Sequence, residues 1–173
     1  ANVGFIENDK ETILLKVSDI ELLRGTKTAF VGKNGIGKTT FLKTIVGEIT
    51  PLSGIINFGQ QISYGYVDQN LSYIPENVDV LTAFLDAKNI PINEARSYLA
   101  RFLFIGEQVF QNVSSLSGGQ LTRLQIARTM IQSPNFLILD EPTTHLDIQS
   151  REALEIILQN YEGAILFVSH DRL

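Results

Sequence analysis

The 173-residue chain contains no cysteine. That excludes disulfides and cysteine-ligated metal sites, and it suits a reducing compartment. No apolar run approaches the roughly 18 residues needed to cross a bilayer. The opening Ala1-Asn2-Val3 lacks a basic stretch followed by an apolar one, so no signal peptide is expected. Met130 is the single methionine, so the chain is expected to be an excised domain or a processed fragment. Asn70-Leu-Ser72 and Asn112-Val-Ser114 match the glycosylation pattern, but without a secretion signal both are coincidences. Basic charge is also scarce: 14 Lys and Arg stand against 19 Asp and Glu, for a net charge of −5. A domain that grips nucleic acid by its own charge is basic, so contact with RNA would need local patches or other parts of the protein. No internal repeat or low-complexity segment occurs.

The remaining composition, 44% hydrophobic and 19% charged, is that of one globular domain with a true core. Val3, Phe5, Ile13, Leu15, Val17, Ile20 and Leu22 alternate with polar residues as strands do. Thr28–Val31 reads as a buried strand feeding a glycine loop, and Thr39–Val46 as a helix ending near Gly47. Pro51–Gly54 is a turn and Ile62–Val67 another strand. From about Asp79 to Gln111 the pattern becomes helical. Val80, Leu81, Phe84 and Leu85 form one stripe; Ala95, Leu99, Phe102 and Leu103 form a second, with Asn93 as its cap. A helix over Gln120–Gln132 is stopped by Ser133-Pro134. A strand at Phe136–Leu139, a helix over Ile148–Tyr161 and a strand at Ala164–Val168 complete the chain. Strands and helices alternate on both sides of the insert. The spacing predicts an α/β fold with a mainly parallel sheet, an N-terminal antiparallel portion, and a helical insert. Residues 1–70 and about 133–173 are assigned to the core of a single domain, and about 71–132 to a helical subdomain.

Two strings carry chemistry directly. Gly32-Lys33-Asn34-Gly35-Ile36-Gly37-Lys38-Thr39 satisfies G-x-x-x-x-G-K-[ST]. Its glycines let backbone N–H groups close around a phosphate where a side chain would intrude. The helix that follows, with Thr40 in its first turn, points its positive end at the same anion. Lys38 is expected to reach the β- and γ-phosphates and Thr39 to offer its hydroxyl to Mg²⁺. A chance glycine turn before a helix is the bland alternative, and the flanking strand and helix make it remote. Next, Asp140-Glu141 closes an apolar strand, placing two carboxylates at the edge where α/β folds bind ligands. Asp140 is expected to hold Mg²⁺ and Glu141 to polarise an attacking water.

With Leu116-Ser117-Gly118-Gly119-Gln120 the chain resembles the nucleotide-binding domain of the ATP-binding cassette (ABC) superfamily, whose signature this string matches. By itself such a string is also a polar cap on an ordinary helix. The resemblance implies that Ser117, Gly118, Gly119 and Gln120 close over the γ-phosphate of an ATP held by a second cassette, so that two nucleotides are sandwiched head-to-tail. It further implies that Gln69 senses Mg²⁺ and the attacking water, and that Asp147 contacts the second cassette. As a helix N-cap Asp147 has a purely structural reading too, and both readings stand. His170 is implied as the switch histidine at the γ-phosphate. Asp140-Glu-Pro-Thr-Thr-His-Leu-Asp147, Phe167-Val-Ser-His-Asp-Arg172 and Phe102-Leu-Phe-Ile-Gly106 are most similar to the F subfamily, whose members carry two cassettes and lack transmembrane domains. Many of these bind ribosomes, as translation factors or in antibiotic resistance.

Thr144 stands where the subfamily often has asparagine, and Gln120 where it often has glutamate. Phe5 is a candidate for stacking adenine, with a core phenylalanine as the other reading. Strands and helices that usually follow the switch histidine are missing. The resemblance thus implies a cytoplasmic ATPase with ATP and Mg²⁺ as ligands, a second cassette and the ribosome as partners, and no insertion in a membrane. The alternatives are the ATPase subunit of a membrane transporter, and a regulatory ATP-binding module with little turnover.

Overall fold

The computed structural model describes residues 2–7, 10–69, 74–144 and 146–169. Their contacts divide the chain into two units, 1–66 with 135–141 and 163–173, and 67–134 with 142–162.

The first unit is the α/β part. β1 (Asn2–Glu7) and β2 (Lys10–Lys16) pair antiparallel. β3 (Lys27–Val31), β4 (Tyr64–Val67), β5 (Phe136–Asp140) and β6 (Ala164–Ser169) form a second sheet in the order β3-β6-β5-β4. β6 runs parallel to both β3 and β5. The five residues of β5 are all buried, which explains its unbroken apolar run: a strand covered on both faces has no polar side to show. Helix α1 (Lys38–Ile45) turns Phe41 and Leu42 into a core with Val3, Phe136, Ile138, Leu166 and Val168. Phe30 meets Phe41 with ring centroids 4.9 Å apart. A fully buried side chain such as Leu42 or Ile138 contributes about 1.5–3 kcal/mol relative to exposure. The Asn135 side chain ties the starts of β4 and β5. Its Oδ1 accepts from Ser63 N at 3.0 Å and its Nδ2 donates to Gln61 O at 2.8 Å. β4 consequently opens at Tyr64, two residues later than Ile62.

The second unit is helical. α2 (Val80–Ala87) starts on Asp79, whose Oδ1 accepts from Thr82 N at 2.7 Å. α3 (Ile92–Ala100) begins after Pro91 and has no side-chain cap. Asn93 therefore lies inside the helix rather than capping it; the fixed φ of Pro91 makes the start. Leu103 falls beyond α3, in a turn with φ 62°. Phe84, Tyr98 and Phe102 stack in sequence at 5.5 and 5.6 Å. α4 (Gly118–Met130) starts two residues before Gln120, and α5 (Ile148–Gln159) ends two before Tyr161.

Residues 148–161 are expected in the α/β core, but α5 groups with the helical unit. The reason is packing: α5 lies against α4, and the Tyr161 hydroxyl that follows it donates to Pro134 O at 2.6 Å. Burial pushes that hydroxyl's pKa up to about 12.

Candidate functional site

β3 ends at Val31 and α1 begins at Lys38, so residues 32–37 form the loop between them. Gly35 and Gly37 have φ of 78° and 101°, a region that L side chains avoid. A Cβ on Gly37 would also lie 2.9 Å from the Cβ of Leu14. Both constraints require glycine at 37. They place β2 against the loop through Leu14 and Leu15, a contact that the motif itself does not announce. Gly32 N donates to Ser169 O at 3.4 Å, extending the β3–β6 pairing into the loop.

The Lys38 side chain is buried at 5% exposure. Its ammonium donates to Gly32 O at 2.9 Å and Lys33 O at 3.1 Å, and lies 3.8 Å from Glu141 Oε1. The loop's own carbonyls thus hold the positive charge at the start of α1. Thr39 and Thr40, the next residues of α1, are half-buried. Asp140, the last residue of β5, is buried. Glu141 follows with φ 49°, and its N–H donates to Val168 O at 3.1 Å. A non-glycine residue in this conformation costs of order 1–3 kcal/mol, and such strain clusters at functional positions. The structure therefore brings Lys38 and Glu141 together, far apart as they are in sequence.

Thr39 offers a hydroxyl and Asp140 a carboxylate, both hard oxygen donors of the kind Mg²⁺ takes. Among the described residues no three His, Cys, Asp or Glu side chains cluster to cage a metal. Gln69 is exposed two residues past the end of β4 and belongs to the helical unit. His170 lies outside the described residues, as does the side chain of Phe5.

In the helical unit Ser117 caps α4 through a reciprocal box. Its Oγ accepts from Gln120 N at 3.3 Å, while Gln120 Oε1 accepts from Ser117 N at 2.9 Å. Gly118 and Gly119 are therefore the first residues of the helix, where unpaired N–H groups and the dipole favour an anion. Ser117 and Gly118 are exposed. Asp147 caps α5, with Oδ1 accepting from Ser150 N at 2.7 Å and Oδ2 from Ser150 Oγ at 2.9 Å. These two hydrogen bonds hold its carboxyl below the usual carboxylate range, and the charge of Arg123 adds a smaller push in the same direction.

Arg123 was not singled out by motif. It is buried on α4, donates from Nη1 to Phe102 O at 2.9 Å, and lies 5.3 Å over the Phe104 ring. Its desolvation lowers its own pKa. The available signal was spacing, since Arg123 shares a helical face with Ala127 and Ile131.

A family model described as ABC transporter matches residues 15–144. The chain is 45% identical over 168 residues to the putative ATP-binding protein YdiF of Bacillus subtilis, covering 96% of the chain and 26% of that protein. It is 43% identical over 164 residues to the ATP-binding protein Uup-like of Haemophilus influenzae, covering 92% of the chain and 36% of the relative. The chain therefore spans about a quarter to a third of these curated relatives. In fold it resembles the ATP-binding cassette MJ0796, solved as a dimer in a post-hydrolysis state with ADP and Pi. The TM-score is 0.79 at 20% identity, over 98% of this chain and 85% of that one.

Proposed function

The chain belongs to the ABC transporter family, whose model spans residues 15–144, and from that premise we propose that it is one cassette of a cytoplasmic F-subfamily ATPase acting on the ribosome. Lys38 and Glu141, 3.8 Å apart where the phosphate loop meets the end of β5, are the observation that carries the catalytic part.

In this reading the loop N–H groups of residues 32–39 bind the β-phosphate, and the Lys38 ammonium neutralises the β- and γ-oxygens. Thr40 lies behind them in the first turn of α1. Glu141 accepts hydrogen bonds and then a proton from the attacking water, with its carboxylate beside the lysine that holds the γ-phosphate. Its left-handed backbone fixes the direction in which the side chain leaves β5. Mg²⁺, held by Thr39 and Asp140 with Gln69 assigned by family position alone, would neutralise phosphate charge. His170 is assigned to the γ-phosphate on the same ground.

Ser117, Gly118, Gly119 and Gln120 serve a second cassette's nucleotide, and Asp147 touches that cassette. Closure around two nucleotides and reopening after hydrolysis then make a conformational cycle. The MJ0796 cassette, solved as a dimer with ADP and Pi, supports the pairing. The F-subfamily assignment rests on the strings at 140–147 and 167–172. Among the described residues no helix is long and apolar enough to cross a membrane.

The test is co-sedimentation of the intact protein with ribosomes, using Glu141→Gln to hold the ATP-bound state. ATP-dependent binding to ribosomes is the expected outcome. Co-purification with an integral membrane protein, and no ribosome binding, would overturn the ribosomal assignment in favour of a transporter subunit.

A further inference from the structure

Strand β2 carries one residue more than the strand it pairs with. From Glu7–Lys10 to Gly4–Ile13 the two strands stay in register, and the pairing then resumes one residue later, at Val3–Leu15 and Asn2–Lys16. Leu14 is the extra residue, the mark of a β-bulge. Successive side chains of a regular strand leave on opposite faces. Here Leu14 and Leu15 are both half-buried, between the exposed Ile13 and Lys16, and both come up against Gly37. A Cβ built on that glycine would lie 3.3 Å from Leu14 Cδ1 and 3.5 Å from Leu15 Cγ. The bulge thus turns two sequence neighbours toward one residue of the phosphate loop, the re-aiming that bulges provide beside functional sites.

Gly4 lets the bulge close. A side chain there would run into the Thr12 carbonyl oxygen and meet Leu52 Cδ1 at 2.9 Å. β1 is itself anchored: Asn2 N donates to Ser53 O and Asn2 O accepts from Leu52 N, both at 3.0 Å. Val3 is buried with Phe41 and Leu42 of α1. Leu14 is therefore presented by a strand pair fixed to the helix that the phosphate loop leads into. Gly37 sits at the joint. It has φ 101°, its carbonyl accepts from Phe41 N at 2.8 Å in the first turn of α1, and Lys38 follows it. Glycine has the most backbone freedom to lose and no side chain with which to hold itself, so its conformation depends on what packs against it.

We propose that Leu14, aimed by the bulge in β2, is a positioning residue for ATP hydrolysis that holds Gly37 and so keeps the phosphate loop in its phosphate-binding shape before nucleotide arrives. The inference rests on the cassette reading above, in which the N–H groups of residues 32–39 bind phosphate. It gives Leu14 no contact with nucleotide; the effect passes through Gly37 to the loop and to Lys38. A loop already ordered in its binding conformation does not charge its ordering entropy against affinity. Once phosphates fill the loop they hold it themselves, so Leu14 acts on binding and leaves the chemical step alone.

The experiment measures, on the intact protein, kcat and KM for ATP and the inhibition constant of tripolyphosphate, which carries phosphates without base or sugar. Leu14→Ala is expected to raise KM about tenfold and leave kcat within about twofold, because a loop ordered only part of the time loses affinity by that fraction. The inhibition constant of tripolyphosphate should rise by the same factor. Leu14→Met, which keeps the apolar reach of the side chain, should stay within about twofold of the parent in both constants. A purely structural role gives the opposite split, since partly unfolded protein lowers the apparent kcat at unchanged KM. That result, or no change in either constant, would overturn the proposal. So would a KM that rises while tripolyphosphate inhibits as before, because that puts Leu14 at the base or the sugar. If Leu14→Ala does not fold, Leu14→Val takes its place under the same criteria. A parent protein with no ATP turnover would sink the cassette reading itself, a result distinct from a parent that turns over and a Leu14→Ala variant that matches it.

Discussion

Replacing Glu141 separates catalysis from folding. Glu141→Gln keeps the backbone and the volume of the side chain and removes the charge 3.8 Å from Lys38. Two such charges attract by about 4 kcal/mol at an effective dielectric constant near 20. Desolvation offsets most of that gross figure, and the ammonium keeps its hydrogen bonds to Gly32 O and Lys33 O. The expected change in stability is therefore within about 1 kcal/mol. A general base contributes roughly 10²–10⁴-fold, or about 2.7–5.4 kcal/mol of barrier. The catalytic loss should thus exceed the stability change several-fold.

Glu141→Gly sharpens the contrast. At φ 49° glycine is spared the steric cost of about 1–2 kcal/mol that an L side chain meets there. It loses about 0.5–1 kcal/mol in chain entropy. This variant should be as stable as the parent or slightly more so, and inactive. Phosphate release from ATP by the intact protein, set beside urea unfolding of each variant, is the assay. Hydrolysis by Glu141→Gln within tenfold of the parent would refute the assignment of the base, as would losses of activity that follow losses of stability.

Ser117→Ala removes the acceptor for Gln120 N at 3.3 Å and should lower stability by about 1 kcal/mol, read as a shifted urea midpoint with unchanged slope. Leu139→Ala in the fully buried β5 should cost about 2–5 kcal/mol, measured the same way. Tyr161 is pushed up to about 12 in the folded chain, against about 10 when unfolded. Its contribution to stability is therefore fully present below pH 10 and is lost as pH rises through about 12; Tyr161→Phe should remove that alkaline step. The same variant deletes the bond to Pro134 O at 2.6 Å and should lower stability by about 1 kcal/mol at neutral pH. The 173-residue chain alone should hydrolyse ATP slowly, with a rate per chain that rises with concentration; robust turnover independent of concentration would contradict the need for a second cassette.

Short-range signals carried much of the site. The shape of the loop from Gly32 to Thr39 could be read because its demands are local: a positive φ at Gly35 and Gly37 and a helix that starts at Lys38. Asp140-Glu141 could be read because a fully apolar strand must end somewhere, and carboxylates mark the place. Asp147 as a cap followed from a side chain that reaches only three residues ahead. Local rules also erred locally. Asn93 reads as a cap, but Pro91 sets the start of α3, and the Ser117–Gln120 box starts α4 at Gly118, two residues before Gln120.

The sequence alone determined the alternation of strands and helices, the phosphate loop, the acid pair and the resemblance to cassettes, since spacing and backbone preference act over a few residues. Tertiary structure alone decided that α5 joins the helical unit, that Leu14 backs Gly37, and that Arg123 reaches Phe102 and Phe104. It also decided that Lys38 lies 3.8 Å from Glu141, and that Glu141 takes a left-handed backbone held by Val168. Each of these depends on which strands become neighbours and which helices pack. Such contacts join residues far apart in the chain, and their free energy becomes available only when the core closes around them.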